Sequence, residues 1–155
     1  MRPTIKLIIS IAIPVATGLI AGWFTAQSVD TWYATLQRPS FAPPNGVFGP
    51  VWTVLYVLMG ISLYIIWRLP ASPQKEKALF IFGLQLACNF LWSFLFFYLR
   101  NPAVALVDIV ILWILIWVML VRFYRLRPLA AWINIPYLLW VSFATALNAA
   151  FWHLN

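Results

Sequence analysis

The chain has 155 residues, of which 65% are hydrophobic and 8% charged, whereas an ordinary soluble domain has about 45–50% apolar and about 25% charged residues. This composition excludes a water-soluble globular domain and predicts an integral membrane protein. The net charge of +7 comes from ten Lys and Arg residues against three acids. These basic residues flank apolar runs and form no groove-reading motif, so nucleic-acid binding is not expected.

Five apolar runs fill the chain, each long enough for a membrane helix, which needs about 20 residues. The first run exceeds the apolar region of about 7–15 residues found in signal peptides, which predicts a span that is retained. Gly18 and Gly22 in this run form a GxxxG pair, suited either to packing inside the bundle or to a dimer face, and Gly83 and Ala87 form a second small-residue pair. The sequence predicts an all-α bundle of five transmembrane helices in a single domain, residues 1–155, with spans at 5–26, 47–67, 78–99, 103–124 and 129–152.

The connection between the first two spans, residues 27–46, is called the lid here. Pro39, Pro43 and Pro44 lack a backbone donor and restrict the residue before them, so the lid cannot be a regular helix. Fixed proline φ angles also reduce the entropy lost when the segment adopts one conformation. Few charges and several aromatic residues make it a poor solvated linker. We therefore expect an ordered loop that closes over the bundle.

Aromatic and amide side chains recur every three or four residues in three spans, which places them on one face of each helix. We expect these faces to converge on a cavity beneath the lid, whose flat rings and few polar groups suit a planar apolar ligand. Ordinary core packing is the alternative. The faces comprise Trp52, Tyr56, Met59 and Leu63 in the second span, Gln85, Asn89, Trp92 and Phe96 in the third, and Pro136, Tyr137, Trp140, Phe143, Ala144, Leu147 and Asn148 in the fifth.

Polar residues inside a bilayer need a partner or a purpose. For Asn89 and Asn148 the sequence leaves two interpretations open, hydrogen bonding between helices and lining of the cavity. Asp108 lies about six residues, or roughly 9 Å, into its span, which favours an interfacial position. Cys88 is the only cysteine, so it excludes an intramolecular disulfide and a thiolate metal cluster. No metal site is expected.

The basic residues are distributed unevenly between the two ends of the predicted bundle. By the positive-inside rule the N-terminus is expected in the cytoplasm, with the lid and the C-terminus outside. The N-terminal side would carry Arg2, Lys6, Arg68, Lys75, Lys77, Arg122, Arg125 and Arg127, whereas the opposite side would carry only Arg38 and Arg100.

Motifs of soluble enzymes are missing: the chain has no GxGxxG, P-loop, GxSxG or HExxH. Its lone His153 and Cys88 are far apart in sequence, and no acid is placed to orient either of them. Conventional acid–base, nucleophilic or metal catalysis is therefore not expected.

At this point the residues resemble the TspO or translocator protein family, whose members include the tryptophan-rich sensory proteins. The resemblance covers almost the whole chain, because the matching pieces occur in family order. They are WY at 32–33, RPSFAPP at 38–44, VF at 47–48, VWT at 51–53, LY at 55–56, QL at 85–86, Asn89, WS at 92–93, FF at 96–97, PY at 136–137, Trp140, FAT at 143–145 and LN at 147–148.

The resemblance implies a five-helix bundle, usually a homodimer, with a ligand pocket closed by the loop between the first two helices. It implies binding of porphyrins such as protoporphyrin IX, and in some members of isoquinoline or benzodiazepine drugs, with no cofactor required. It also implies the cell membrane of a bacterium. By position, the ligand-binding residues would be Trp32, Tyr33, Pro43, Phe48, Trp52, Tyr56, Asn89, Phe90, Trp92, Trp140, Phe143, Ala144 and Asn148.

The leading hypothesis is a porphyrin-binding receptor linked to tetrapyrrole metabolism and stress signalling. Arg38, Arg100 or His153 would pair with the propionates at the outer mouth. The first alternative is light-dependent porphyrin degradation, with Trp52 and Trp140 as the photochemical residues. The second alternative is transport of porphyrin or lipid. The cholesterol pattern of animal members is missing after Leu147, so sterol binding of that kind is not expected.

Overall fold

A computed structural model describes all 155 residues and contains helices without any strand. Five stretches are long and apolar enough to cross a membrane, which confirms the predicted five-helix membrane bundle. The helices are α1 (Pro3–Ala26), α2 (Phe48–Trp67), α3 (Pro73–Ser93, continued by a π-helical segment Phe94–Tyr98), α4 (Pro102–Leu126), the short α5 (Pro128–Trp132) and α6 (Ile135–Leu154).

The starts of α3 and α4 follow local capping rules. Each begins with a proline in the first turn, where a backbone donor is not needed. The hydroxyl of Ser72 accepts a hydrogen bond from the backbone of Lys75 (3.1 Å), and Asn101 accepts one from Val104 (3.2 Å). Helix α3 therefore begins at Pro73, five residues before the predicted membrane span at 78–99.

The fifth predicted span, 129–152, falls within one apolar stretch, Pro128–Leu154, which the structure divides into two helices. Two residues, Ile133 and Asn134, separate α5 from α6, because Pro136 has no backbone donor and its ring would clash with the preceding helical turn. The side-chain amide of Asn134 is buried and donates hydrogen bonds to Ser62 (2.7 Å) and to the carbonyl of Ala130 (3.1 Å). The break is thereby fixed against α2.

The end of α3 widens into the π-helical segment Phe94–Tyr98, in which Leu99 donates to the carbonyl of Phe94 (2.9 Å). Wider turns change which side chains face inward, and here the adjacent Phe96 and Phe97 are both buried. The following turn contains Arg100 with φ 55°, a left-handed conformation that is uncommon for residues other than glycine. This geometry directs two phenyl rings to the same end of the bundle.

Two apolar clusters form the core. The larger one joins α2, α3, α4, α5 and α6, and the smaller one surrounds Tyr33 of the lid. Helix α1 packs on α2 and α3, yet only three of its residues, Ser10, Pro14 and Ala21, are buried. It therefore forms a wall of the bundle rather than a part of the core.

The GxxxG pair on α1, Gly18 and Gly22, faces the inside of the bundle. The two glycines differ in how much space surrounds them. A Cβ atom at Gly18 would collide with the ring of Tyr56, whereas one at Gly22 would meet nothing within 4 Å. The Tyr56 ring cannot easily yield, because it stacks on Trp52 and its hydroxyl donates to Asn89. Gly18 thus serves packing inside the chain.

We expect Gly18→Ala to lower the free energy of unfolding by about 1–3 kcal/mol through overpacking. Gly22→Ala should raise it by up to about 1 kcal/mol, since alanine is the better helix former. Thermal unfolding in detergent, followed by circular dichroism, measures both changes. Equal effects of the two substitutions would show that Gly18 has no special contact.

Candidate functional site

A cavity of about 600 Å³ lies beneath the lid and is lined by 25 residues, 16 of them hydrophobic. Its volume and apolar character are those of a small-molecule site. The lining comes from α1 (Val15, Gly18, Leu19, Ala21, Gly22, Thr25, Ala26), the lid (Val29, Asp30, Tyr33, Asn45), α2 (Phe48, Gly49, Trp52, Thr53, Tyr56), α3 with its π-helical end (Trp92, Ser93, Phe96, Phe97) and α6 (Trp140, Ala144, Leu147, Asn148, Phe151).

The indole rings of Trp52 and Trp140 meet inside this cavity, although they come from different helices. Their centroids are 6.4 Å apart and their planes are nearly perpendicular, at 89°. Trp52 also stacks on Tyr56 at 5.6 Å, and Phe48 approaches Trp140 at 5.9 Å. Perpendicular and offset pairs are the favoured geometries of aromatic rings. The site therefore presents flat aromatic surfaces in two orientations.

The structure brings part of the residue set predicted from the sequence into the cavity. The members that line it are Tyr33, Phe48, Trp52, Tyr56, Trp92, Trp140, Ala144 and Asn148. The members that do not line it are Trp32, Pro43, Asn89, Phe90 and Phe143. Each residue of the second group instead supports a residue or a segment that borders the cavity.

Asn89 connects three helices behind the cavity and is only 2% exposed. It accepts a hydrogen bond from the Tyr56 hydroxyl (2.5 Å) and donates one to the Tyr137 hydroxyl (2.8 Å). Tyr137 in turn donates to the side-chain carbonyl of Gln85 (2.6 Å). Of the two interpretations that the sequence left open, the structure places Asn89 in hydrogen bonding between helices.

Asn148 satisfies both interpretations. It lines the cavity, and its side-chain carbonyl accepts a hydrogen bond from the Trp92 indole (2.9 Å). Its amide donates to the carbonyl of Pro102 at the start of α4 (2.8 Å). Asn148 therefore fixes the orientation of Trp92 and uses one of its two amide N–H groups to hold the start of α4.

The other residues outside the cavity make aromatic or lid contacts. The ring of Phe143 contacts Phe41 of the lid at 6.1 Å and Trp140 at 5.5 Å. Trp32 approaches Phe96 at 5.7 Å, and Phe90 approaches Phe24 of α1 at 5.9 Å. The backbone carbonyl of Pro43 accepts a hydrogen bond from Arg38 within the lid.

The lid is ordered by its own side chains. Tyr33 is 3% exposed and packs on Phe151 (5.2 Å) and Phe97 (5.6 Å). The guanidinium of Arg38 donates to the Asn45 side chain (3.0 Å) and to the Pro43 carbonyl (2.6 Å), and it lies 5.6 Å over the Tyr33 ring. Arg38 thus closes the lid on itself.

The lid is also fastened to the end of α6. The backbone of Gln37 donates to the Asn155 side chain (2.9 Å), and the Asn155 amide donates back to the Gln37 carbonyl (3.1 Å). The lid and the C-terminus therefore lie at the same end of the bundle, as expected for an odd number of spans. Their placement outside the cell stays a prediction.

The charged residue in the cavity lining is an acid, whereas basic residues were expected at the mouth of the cavity. Asp30 is the one formally charged residue of the lining, which contains no Lys, Arg or His. Arg38, Arg100 and His153, which were expected to pair with propionates, do not line the cavity. Burial raises the pKa of the Tyr33 phenol, although Arg38 partly opposes this effect, so the phenol stays neutral near pH 7.

Asp108 lies elsewhere. It is 6% exposed, and one of its carboxylate oxygens has no hydrogen-bond partner. Its side chain turns toward the inside of the bundle, and the interfacial depth expected for it stays a prediction. It does not line the cavity.

Sequence reasoning missed the wall formed by α1 and the start of the lid. Small residues at positions 18, 21, 22 and 25 recur at helical spacing, and small side chains leave room beside a helix. This spacing was the signal for a cavity wall. Asp30 gave no comparable signal, because a single acid after a span is ordinary in a membrane protein.

Comparison with known proteins identifies the family of the chain. Residues 10–153 match the model of the TspO/MBR family. The chain is 47% identical to the tryptophan-rich protein TspO of Archaeoglobus fulgidus over 152 residues, which cover 97% of each chain. It is 42% identical to the translocator protein of Homo sapiens over 127 residues, covering 80% of this chain and 75% of the human protein. It is 36% identical to the tryptophan-rich sensory protein of Cereibacter sphaeroides over 126 residues, covering 81% of this chain and 78% of that protein. The chain belongs to the TspO/MBR family of membrane proteins.

Proposed function

We propose that this protein is a membrane receptor that binds a planar tetrapyrrole of the protoporphyrin IX type in the cavity beneath the lid. The observation that carries the proposal is the perpendicular pair of Trp52 and Trp140 in a mostly apolar cavity of about 600 Å³. A flat macrocycle that stacks on one indole meets the edge of the other. Each such aromatic contact contributes about 0.5–1.5 kcal/mol beyond the burial of apolar area.

A free-base macrocycle fits the lining better than haem does. Haem iron is usually held by His, Cys, Met or Tyr, and no His, Cys or Met lines the cavity. The hydroxyl of Tyr56 donates to Asn89, and that of Tyr33 lies in a buried aromatic cluster. The binding proposed here therefore depends on stacking and apolar burial rather than on coordination.

Titration of the purified protein with protoporphyrin IX in the dark tests the proposal. We expect saturable binding with one ligand per chain, a shift of the porphyrin absorption band and quenching of tryptophan fluorescence. Empty detergent micelles of the same composition are the control for partition of the porphyrin. A signal that rises without saturation, equally with and without protein, would overturn the proposal.

A second function, light-dependent degradation of the bound porphyrin, is favoured by one specific arrangement. Trp52 stacks on Tyr56 and contacts Trp140, so three oxidisable rings lie within 6.4 Å of their neighbours. An excited macrocycle could take an electron from such a ring, with dioxygen as the oxidant that drives breakdown. Illumination of the complex in aerated buffer separates the two functions, since only a catalyst forms a new absorbing product.

A further inference from the structure

We propose that Asp30 sets the charge selectivity of the cavity, so that ligands with a cationic or uncharged edge bind better than ligands with free carboxylates. This inference rests on the proposed function, because it concerns the planar ligand that would occupy the same cavity. It specifies which chemical class of tetrapyrrole or similar planar molecule the site accepts.

The first argument is the formal charge of the lining. Asp30 lies in the turn directly after α1, is exposed, and borders the cavity together with Thr25 and Val29 of the same region. No cation in the lining balances it. The guanidinium of Arg38 points two of its donors at the Asn45 side chain and the Pro43 carbonyl. A carboxylate entering the mouth would therefore meet a like charge.

The second argument is the direction of the hydrogen bonds in the lining. The indole of Trp92 donates to Asn148, the amide of Asn148 donates to Pro102, and the hydroxyl of Tyr56 donates to Asn89. The hydroxyls of two lining threonines donate to backbone carbonyls of their own helices, Thr25 at 3.1 Å and Thr53 at 2.8 Å. These bonds use one N–H of the Asn148 amide and leave the other free, the buried indole N–H of Trp140 has no partner, and the threonine oxygens retain acceptor capacity. The lining thus offers acceptors to ligand N–H groups, whereas to a ligand carboxylate it offers neutral donors but no cation.

The third argument is the local field. Helix α1 ends at Ala26, four residues before Asp30, and the carbonyl end of a helix carries a partial negative charge. The phenol of Tyr33 adds no positive charge. Asp30 is exposed, so water screens this field at the mouth. The partial negative charge of the helix end and the carboxylate of Asp30 therefore both disfavour an anionic ligand at the mouth.

Three probes that share one macrocycle test the inference: protoporphyrin IX, its uncharged dimethyl ester, and a derivative whose two side chains end in amines. In non-ionic detergent, Asp30→Asn should strengthen binding of the dicarboxylate about threefold to tenfold and weaken binding of the diamine by a similar factor. Two charges about 6 Å apart at an effective dielectric constant of about 40–80 give changes of this size. Binding of the ester should not change, and the differences should shrink in high salt.

Glu76→Gln is the matched control, because it removes the same charge from the first turn of α3, at the end of the bundle opposite the lid. It should leave the binding of all three probes unchanged. Asp30→Lys should reverse the preference between the dicarboxylate and the diamine. The inference is overturned if Asp30→Asn changes all three affinities equally or changes none of them. Failure of the ester to bind the unmodified protein would instead contradict the proposed function.

Discussion

Gly60→Ala is expected to lower the free energy of unfolding by about 1–3 kcal/mol and to weaken porphyrin binding, although Gly60 does not line the cavity. Gly60 lies in α2 against α1. A Cβ atom there would collide with the Cα atom of Ile11 and would lie 2.8 Å from the Ser10 carbonyl oxygen and 2.9 Å from Ile11 Cγ1. Backbone atoms cannot rotate away as a flexible side chain can, so α1 as a whole must shift.

A shift of α1 would reach the ligand because this helix forms one wall of the cavity, through residues such as Val15, Gly18 and Gly22. Helix α1 has few buried residues of its own, so its position depends strongly on the close approach to α2 at Gly60. Stability and affinity should therefore fall together in this variant. The ester of protoporphyrin IX is the suitable ligand for the affinity measurement, because its binding does not involve Asp30.

Gly83→Ala is the control for the Gly60 substitution. It makes the same chemical change inside a membrane helix, but a Cβ atom at Gly83 meets nothing within 4 Å. It should raise the free energy of unfolding by up to about 1 kcal/mol through helix propensity and leave binding unchanged. If Gly60→Ala unfolds at the temperature of the unmodified protein, the close contact between α1 and α2 does not hold the wall in place.

The spans and the ordered lid could be predicted from the sequence because both depend on local properties. Hydropathy over about 20 residues is a property of the segment itself, and the lid prolines fix their own φ angles. Helical spacing also placed Trp52 and Trp140 on the inward faces of their own helices. These features need no knowledge of which helix lies beside which.

The roles of the individual amides and glycines could not be predicted, because they depend on partners that are distant in sequence. Asn89 and Asn148 are both amides on inward faces, yet Asn89 is enclosed by Tyr56 and Tyr137 whereas Asn148 borders the cavity. Nothing in either local sequence distinguishes them. Likewise, the sequence around Gly60 does not show that α1 lies beside it. Only the arrangement of the helices decides these roles.

Changes of helical geometry account for two further differences between the structure and the sequence-based predictions, one in α3 and one in the fifth span. The π-helical segment Phe94–Tyr98 shifts the inward face by one residue, so that Phe97 joins Phe96 at the cavity. A 3.6-residue period applied to the whole of α3 does not predict this shift. In the fifth span, Pro136 was visible in the sequence, but the break at Asn134 is held by Ser62 of α2, which is again a distant partner.

The double substitution Trp52→Phe with Trp140→Phe is expected to weaken binding of protoporphyrin IX in the dark about twofold to tenfold. This range corresponds to the loss of about half of each of two aromatic contacts, since a whole contact is worth about 0.5–1.5 kcal/mol. Phenylalanine keeps each position apolar but offers a smaller surface to the macrocycle. The control is Trp117→Phe with Trp132→Phe, which also removes two indoles but at exposed positions outside the cavity. It should bind as the unmodified protein does.

Illumination of the same variants decides between receptor and catalyst. If the indoles supply electrons to the excited macrocycle, the rate of product formation at saturating porphyrin should fall strongly in the Trp52/Trp140 variant, because phenylalanine is much harder to oxidise than tryptophan. Saturation removes the difference in affinity from this comparison, so any loss reports on the chemistry. A product formed equally fast by both double variants would assign the breakdown to the porphyrin and dioxygen alone. The paired indoles would then serve binding only, and the receptor interpretation would stand without the catalytic one.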